Sequence, residues 1–193
     1  MILRNILGQQ ESSINLRNIM DSGKVLFVNL SKGRIGEDAS GLLGSLLINS
    51  LQLAAMSRAD VNEEERQDFC LYVDEFQNFA TESFATILSE ARKYQLSLTV
   101  ANQYLAQMEE SIAAAVFGNV GSLLSFQVGA GDGEVLAEQL GGDIEATDVM
   151  SLPKYTAYVR LLAACPGRGL LAWPLGLGNS KISNARHIDH VCE

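Results

Sequence analysis

The feature that most constrains the fold is an apolar segment that ends in two acids. Residues 69–73, Phe-Cys-Leu-Tyr-Val, form an unbroken apolar run, and Asp74 and Glu75 follow it directly. Continuous apolar runs of this length are typical of parallel strands that helices cover on both faces. Because ligands of such sheets bind at the carboxyl ends of the strands, we expect the two carboxylates to stand at a ligand-binding rim.

Two adjacent carboxylates in this place suit the binding of a metal and a phosphate. The pattern is that of a Walker B segment in P-loop nucleotidases, where the first acid helps to hold Mg²⁺ and the second positions or deprotonates the attacking water. The alternative is that Asp-Glu only leads the strand into a helix, since acids are favoured at helix N-termini. A short apolar run followed by two acids also recurs by chance, so the segment alone leaves both interpretations open.

Size and composition indicate one ordinary globular domain. The chain has 193 residues, of which 47% are hydrophobic, and only three prolines. A net charge of −9 argues against a surface that coats duplex DNA, because such binding needs a basic face, although a local basic loop is compatible with it. Cys70, Cys165 and Cys192 show neither metal-ligand nor disulfide spacing, which indicates a reducing cytosol.

Strand and helix patterns alternate along the chain and predict an α/β fold with parallel strands and right-handed crossovers. The uncharged segment 39–57 is long enough to cross a membrane, but Ser45, Asn49 and Gln52 recur at helical spacing and favour a buried helix. The predicted strands are 24–30, 69–73, 96–101, 121–128 and a hairpin of 155–162 with 169–173, and the predicted helices are a short one capped by Ser13, 37–58, 81–94, 107–117 and one ending at Gly141.

Three other segments could bind phosphate or metal, and each has a plain structural alternative. The basic loop 31–36 could touch phosphate or be a solvated turn. The glycine-rich segment 129–133 lacks the lysine and hydroxyl of a Walker A sequence, which favours an ordinary turn. His187, His190 and Cys192 could be metal ligands, but they lie in a polar tail, which favours no site there.

Four blocks, taken in order and spacing, resemble the motor ATPases of the HerA/FtsK superfamily. They are residues 29–38 (NLSKGRIGED), 73–79 (VDEFQNF), 88–94 (LSEARKY) and 99–104 (TVANQY). The resemblance is strongest to the coupling-protein ATPases of conjugative DNA transfer and type IV secretion, and it runs over most of residues 16–173.

The resemblance implies the C-terminal, Walker B half of a three-layer RecA-like P-loop ATPase domain, with a mainly parallel sheet and a C-terminal antiparallel hairpin. Such proteins form rings, usually hexamers, with ATP and Mg²⁺ between subunits and DNA in the pore. Asp74 then resembles the acid that supports Mg²⁺, Glu75 the catalytic glutamate and Gln103 the sensor glutamine that reports the γ-phosphate. Arg92 resembles an arginine finger directed to the neighbouring subunit's nucleotide. A solvated charge on its helix is the alternative for Arg92.

No Gly-x-x-x-x-Gly-Lys-Ser/Thr sequence occurs in the chain. Without it the chain lacks the backbone cradle and the lysine that hold the β-phosphate. The expected organisation is therefore a lead-in over 1–22, half of an ATPase domain over 23–178 and a polar tail over 179–193, inactive alone. In the family the Walker A strand lies between the strands that match 96–101 and 121–128, so we expect these two strands to pair directly or chains to associate over the gap.

Two classes of function are compatible with these features. The first is a subunit of a DNA-translocating ATPase, with ATP as its only small-molecule substrate and with DNA, further copies of the chain and secretion-system components as partners. The second is a non-enzymatic oligomerisation or partner-docking module of the same fold, and a HerA-type DNA-processing helicase subunit is a further alternative. The expected location is the cytoplasm, where regions outside this chain would hold the protein at the inner face of the membrane.

Overall fold

Eight helices and five strands make up the part of the protein that the structure, a computed structural model, describes: residues 2–161 and 169–174. The chain divides into two compact units, Met1–Val116 and Phe117–Glu193. The helices are α1 (Ile2–Leu7), α2 (Leu16–Asp21), α3 (Lys32–Ile35), α4 (Glu37–Met56), α5 (Glu82–Glu90), α6 (Glu110–Asn119), α7 (Ala130–Leu140) and α8 (Ala146–Met150), and the strands are β1 (Phe69–Val73), β2 (Leu96–Val100), β3 (Leu123–Ser125), β4 (Thr156–Leu161) and β5 (Gly169–Pro174). Short 3-10 turns cover Ser57–Asp60, Glu63–Glu65, Phe76–Asn78, Ala91–Tyr94 and Leu105–Gln107.

The first unit contains a two-stranded parallel sheet in which β1 pairs with β2. The register runs from Phe69 opposite Leu96 to Val73 opposite Val100. Val73 is buried, whereas Tyr72 is 73% exposed, and Cys70 is exposed as well. The prediction that β1 is covered on both faces is therefore wrong, because one face of this small sheet is open to solvent.

Residues 24–30 were expected to form the first strand, and this prediction is wrong. The segment is extended but forms no strand, and its side chains are open to solvent, with Val25 79% and Phe27 93% exposed. It is tied at its ends, where Lys24 N–H donates to Ile19 O and the Ser40 hydroxyl donates to Leu30 O. A β-branched, aromatic sequence becomes a strand only where a neighbouring strand takes up its backbone hydrogen bonds, and no strand within the described residues does so.

Helix α4 buries one face in the first unit. The buried positions include Leu43, Ile48 and Leu51, whereas Leu42 and Leu53 are exposed. By length and composition alone the segment Glu37–Asp60 could cross a membrane, and 33% of its most apolar window is buried in the fold.

Two shorter helical predictions have mixed outcomes. Before α2, the capping residue is Asn15, whose side chain accepts the Asn18 N–H, and not Ser13. The amphipathic helix predicted from residue 81 is confirmed as α5 and the turn that follows it, with Phe84, Ile87 and Ala91 buried.

A buried arginine ties the amino-terminal ends of β1 and β2 together. Arg58 is fully buried, and its guanidinium donates to Asp21 Oδ1 at 2.9 Å, to Gln67 O at 2.9 Å and to Tyr94 O at 3.0 Å. Burial raises the pKa of Asp21, but hydrogen bonds from Arg17 and Arg58 outweigh it and set that pKa below its ordinary value. Gln67 precedes β1 and Tyr94 precedes β2, so this one side chain holds the starts of both strands.

A second arginine strengthens the same end of the sheet. Arg66 donates to Arg58 O at 3.1 Å and to Lys93 O, and its guanidinium lies 5.7 Å from the centre of the Tyr94 ring. Arg66 lies in a sequence segment rich in charged residues between α4 and β1, so its structural role became visible only in the fold.

The second unit contains an antiparallel sheet in the order β3-β4-β5. The predicted C-terminal hairpin is confirmed, because β4 pairs with β5 from Thr156 opposite Pro174 to Leu161 opposite Gly169. The predicted strand 121–128 is reduced to β3. The glycine-rich entry at 129–133 is largely the start of α7, with Gly133 against Met150.

The strands predicted at 96–101 and 121–128 do not pair with each other. β2 pairs with β1, and β3 pairs with β4 in a separate sheet. The first of the two expected ways to close the gap is therefore wrong, and association between chains stays a prediction. The predicted tail 179–193, with His187, His190 and Cys192, lies outside the described residues.

Candidate functional site

The two acids leave β1 through a turn that is pinned on both sides. Ala101 N–H donates to Val73 O, and Phe76 N–H donates to Ala101 O, each at 2.9 Å. The hydrogen bonding between the two chain segments thus resumes after Asp74 and Glu75, which project from the carboxyl rim of the sheet. Glu75 has φ 50° and ψ 44°, the left-handed region that residues other than glycine seldom adopt. Such strain costs of order 1 kcal/mol and is found where the surrounding structure enforces it.

A buried aromatic pair enforces this conformation. Phe76 follows Glu75 and is fully buried, as is Phe84 of α5, and their ring centres are 4.3 Å apart with the planes tilted by 45°. Phe76 O also accepts the N–H groups of Phe79 and Ala80. The core of the first unit therefore anchors the residue next to the strained glutamate and fixes where its carboxylate points.

Two glutamine amides hold the Glu75 carboxylate. Gln103 Nε2, from the loop that follows β2, donates to Glu75 Oε1. Gln77 Nε2, from the turn that Glu75 begins, donates to Glu75 Oε2 at 2.6 Å. The Glu75 N–H donates to Asp74 Oδ1 at 3.0 Å. The structure thus brings together Asp74, Glu75 and Gln103, which the sequence singled out, and adds Gln77, which it did not.

One signal in the sequence could have indicated Gln77. It lies two residues after Glu75 in Asp-Glu-Phe-Gln-Asn, close enough for its amide to reach back to the acid. That reach depends on the left-handed turn at Glu75, which no sequence pattern predicted.

The site opens onto a large groove in the first unit. The groove has a volume of about 1270 Å³ and lies between residues 24–32, the inner face of α4 and strand β1. Asp74, Glu75, Gln103 and Tyr104 line one end of it. Small-molecule sites usually measure about 300–1,000 Å³, so the groove exceeds the size that a nucleotide alone would fill.

The basic loop beside the groove is helical and partly engaged. Lys32 in α3 lines the groove and forms an ion pair with Glu37, with Nζ 2.6 Å from Oε1. This hydrogen bond lowers the pKa of Glu37. The Lys32 side chain is about half exposed and that of Glu37 is mostly exposed, so the loop keeps the character of a solvated turn along the groove.

Arg92 lies at the other end of the sheet. It is exposed in the 3-10 turn Ala91–Tyr94, which precedes β2, whereas Gln103 follows the carboxyl end of the same strand. A strand of five residues spans about 15 Å at ~3.3 Å per residue. Arg92 is therefore not part of the site in its own chain, and an action on a neighbouring subunit stays a prediction.

The donor set fits Mg²⁺ held jointly with a phosphate. Asp74 is exposed, and one of its oxygens accepts the Glu75 N–H, which leaves the other free of partners among the described residues. Among residues 2–161 and 169–174 no three His, Cys, Asp or Glu side chains converge as a metal cage. Mg²⁺ is commonly bound by one or two carboxylates together with substrate phosphates and water, so a single free carboxylate at this rim suits that mode.

Comparison with known proteins first defines the class. The described fold aligns with that of the bacterial conjugative coupling protein TrwB, in the form TrwBdeltaN70, with a TM-score of 0.56 and 20% sequence identity. The alignment covers 73% of this chain and 39% of TrwBdeltaN70, so the chain spans well under half the length of that protein. The fold is accordingly α/β and RecA-like, as the sequence predicted.

A sequence match covers part of the chain. Residues 68–152 match the family described as "TraM recognition site of TraD and TraG". This match covers less than half of the chain and agrees with the predicted resemblance to coupling proteins. The genome packaging NTPase B204 from Sulfolobus turreted icosahedral virus 2, solved in complex with AMPPCP, also aligns, with a TM-score of 0.49 and 14% identity over 78% of this chain and 67% of that one. No curated protein matches the chain.

Proposed function

We propose that this chain supplies the Walker B half of a DNA-translocating ATPase of the conjugative coupling type. The observation that carries the proposal is the cluster of Asp74, Glu75 and Gln103, in which the residues that end β1 meet a residue that follows β2. Carboxylates at the carboxyl rim of a parallel sheet are where such folds bind nucleotides. The match of residues 68–152 to the TraD and TraG family supports the same conclusion.

Each residue of the cluster has a distinct task in this proposal. A bound Mg²⁺ would supply positive charge that neutralises the phosphates of the nucleotide. Asp74 supports that ion through its free carboxylate oxygen. Glu75 orients the attacking water and takes its proton, and Gln103 exchanges its contact with Glu75 for one with the terminal phosphate. Arg92 completes the site of a neighbouring subunit in a ring, usually a hexamer, with DNA in the pore.

The proposal also covers where and with what the protein works. Phosphate-binding groups come from a Walker A segment outside these 193 residues, so the chain alone is inactive. The protein acts in the cytoplasm, at the inner face of the membrane, together with secretion-system components.

The test is ATP hydrolysis by a protein that joins these 193 residues to a Walker A-bearing segment. We expect turnover that needs Mg²⁺, retained ATP binding in Glu75→Gln, and a loss of turnover of about 10²–10⁴-fold in that variant. Glu64→Gln is the matched control, because Glu64 is exposed in a 3-10 turn before β1. Unchanged turnover in Glu75→Gln would refute the assignment of the base, and absence of nucleotide binding would refute the ATPase.

The family description favours a second candidate, a docking module for a TraM-like partner. In that case residues 68–152 bind the partner without nucleotide. We expect the chain to bind purified TraM-like protein in isothermal titration calorimetry, and the binding to be the same with Glu75→Gln. Nucleotide-dependent hydrolysis without any such binding would favour the ATPase alone. If the chain is instead part of a HerA-type helicase, the protein joined to a Walker A-bearing segment should unwind DNA ends.

A further inference from the structure

We propose that Gln77 is the positioning residue that fixes the carboxylate of Glu75. The inference rests on the proposed function for its catalytic meaning, whereas the contact itself is a property of this chain. Gln77 lies inside the block 73–79 but is not among the residues to which the resemblance gives a role. It is distinguished by its place in the turn that the strained Glu75 begins.

Each of the two amides donates to a different oxygen of the Glu75 carboxylate. Gln77 Nε2 donates to Oε2 at 2.6 Å, and Gln103 Nε2 donates to Oε1. A carboxylate has about four acceptor positions on its two oxygens, so both amides can be satisfied while each oxygen keeps room for a water. Two donors on different oxygens fix the plane of the group, which one donor alone would leave free to rotate.

The orientation of the Gln77 amide follows from the carboxylate. Gln77 Oε1 is shielded from solvent and has no hydrogen-bond partner within the described part of the chain. Turning the amide over would place Oε1 against Glu75 Oε2, two acceptors in contact, and would lose the bond between them. The amide therefore keeps its NH₂ group on Glu75 even though its own oxygen is left without a donor.

The two glutamines also differ in how firmly they are held. Gln103 is exposed on the loop after β2, whereas Gln77 is partly buried and follows Phe76, which the core anchors. Gln103 is thus the donor that can leave Glu75 for a phosphate. Gln77 stays on the carboxylate and keeps its direction during that exchange.

The contact can be tested in the chain as it is, by the side-chain amide signals in a ¹H–¹⁵N NMR spectrum. We expect the Gln77 NH₂ protons to be shifted downfield of those of exposed glutamines. That shift should disappear in Glu75→Ala and persist in Gln103→Met. Backbone amide signals of β1 and β2 report whether each variant is folded. A Gln77 signal at the exposed position, or one that Glu75→Ala leaves in place, would overturn the proposal.

The catalytic consequence is tested in the protein joined to a Walker A-bearing segment. Gln77→Met keeps the length of the side chain and removes the donor. We expect kcat to fall about 10–100-fold with KM for ATP unchanged, because misplacing a catalytic base by about 1 Å lowers the rate by that factor. Gln77→Glu places a second carboxylate against Glu75 and should lower kcat further. The control Gln67→Met, at an exposed position, should not change kcat. Equal kcat in Gln77→Met and wild type would refute the positioning role. A wild-type protein without turnover would refute the ATPase instead, and the NMR result would still decide the contact.

Discussion

The buried guanidinium of Arg58 is predicted to stabilise the sheet that carries the acids, and Arg58→Met tests this. Methionine keeps most of the packing of the arginine stem while removing every donor. Two backbone carbonyls, Gln67 O and Tyr94 O, then lose their partner, at about 1–3 kcal/mol each. The lost contact with Asp21 adds at most about 1 kcal/mol, because that side chain is 40% exposed.

One effect works in the opposite direction. Arg58 Nη2 is buried without a hydrogen-bond partner within the described residues, and the substitution removes this unsatisfied group, which returns about 1–3 kcal/mol. The net expected loss of unfolding free energy is about 3 kcal/mol. With a urea m-value of about 1–3 kcal/mol/M, the midpoint of unfolding should fall by about 1–3 M.

The assay is urea unfolding followed by circular dichroism, and Arg17→Met is the matched control. Arg17 also contacts Asp21, and in addition Ser57 and Asp60, but its side chain is partly exposed and its ion pairs lie at the surface. We expect Arg17→Met to shift the unfolding midpoint much less than Arg58→Met does. If the two variants lose the same unfolding free energy, or if Arg58→Met loses less than about 1 kcal/mol, the buried guanidinium of Arg58 does not stabilise the sheet as predicted.

Three further predictions concern other parts of the first unit. The pKa of Asp21 is lower in the folded state than in the unfolded state, so the ionised Asp21 carboxylate stabilises the fold fully above pH ~4 and this stabilisation is lost as the pH falls through the lowered pKa. Asp21→Asn should remove this contribution to the pH dependence of the unfolding free energy, measured from pH 6 to pH 3. Gly44→Ala should lower the unfolding free energy by about 1–3 kcal/mol in thermal unfolding, since the added methyl would overlap the ring of Phe79. Gly41→Ala, on the same helix, should be neutral or stabilising, because its added methyl would make only an ordinary van der Waals contact. The chain should associate with rising concentration in sedimentation velocity through its open sheet surfaces, and Tyr72→Lys should weaken this; a monomer at every concentration would contradict it.

The elements that the sequence predicted correctly depend on local information. The apolar run of β1 with the acids behind it, the spacing of Phe84 and Ile87 along α5, and the antiparallel pair β4 and β5 are each encoded within one short stretch of the sequence. Periodicity and turn chemistry act at that range, so these elements form wherever the chain provides them. The meeting of Asp74 with Gln103 was predictable for a related reason, since parallel neighbouring strands end at the same rim.

The remaining features depend on partners distant in sequence. Residues 24–30 have the composition of a strand, but only a neighbouring strand could have made them one, and the described part of the chain supplies none. The burial of Arg58 depends on carbonyls 9 and 36 residues away in the chain. The left-handed turn at Glu75 exists because Ala101 and the buried ring of Phe76 hold its ends, and this turn in turn brings Gln77 back to the carboxylate. Sequence patterns thus predicted that Asp74, Glu75 and Gln103 would meet at one rim of the sheet. How these side chains are aimed depends on the folded chain, because hydrogen bonds and packing between distant segments set backbone angles that local preference disfavours.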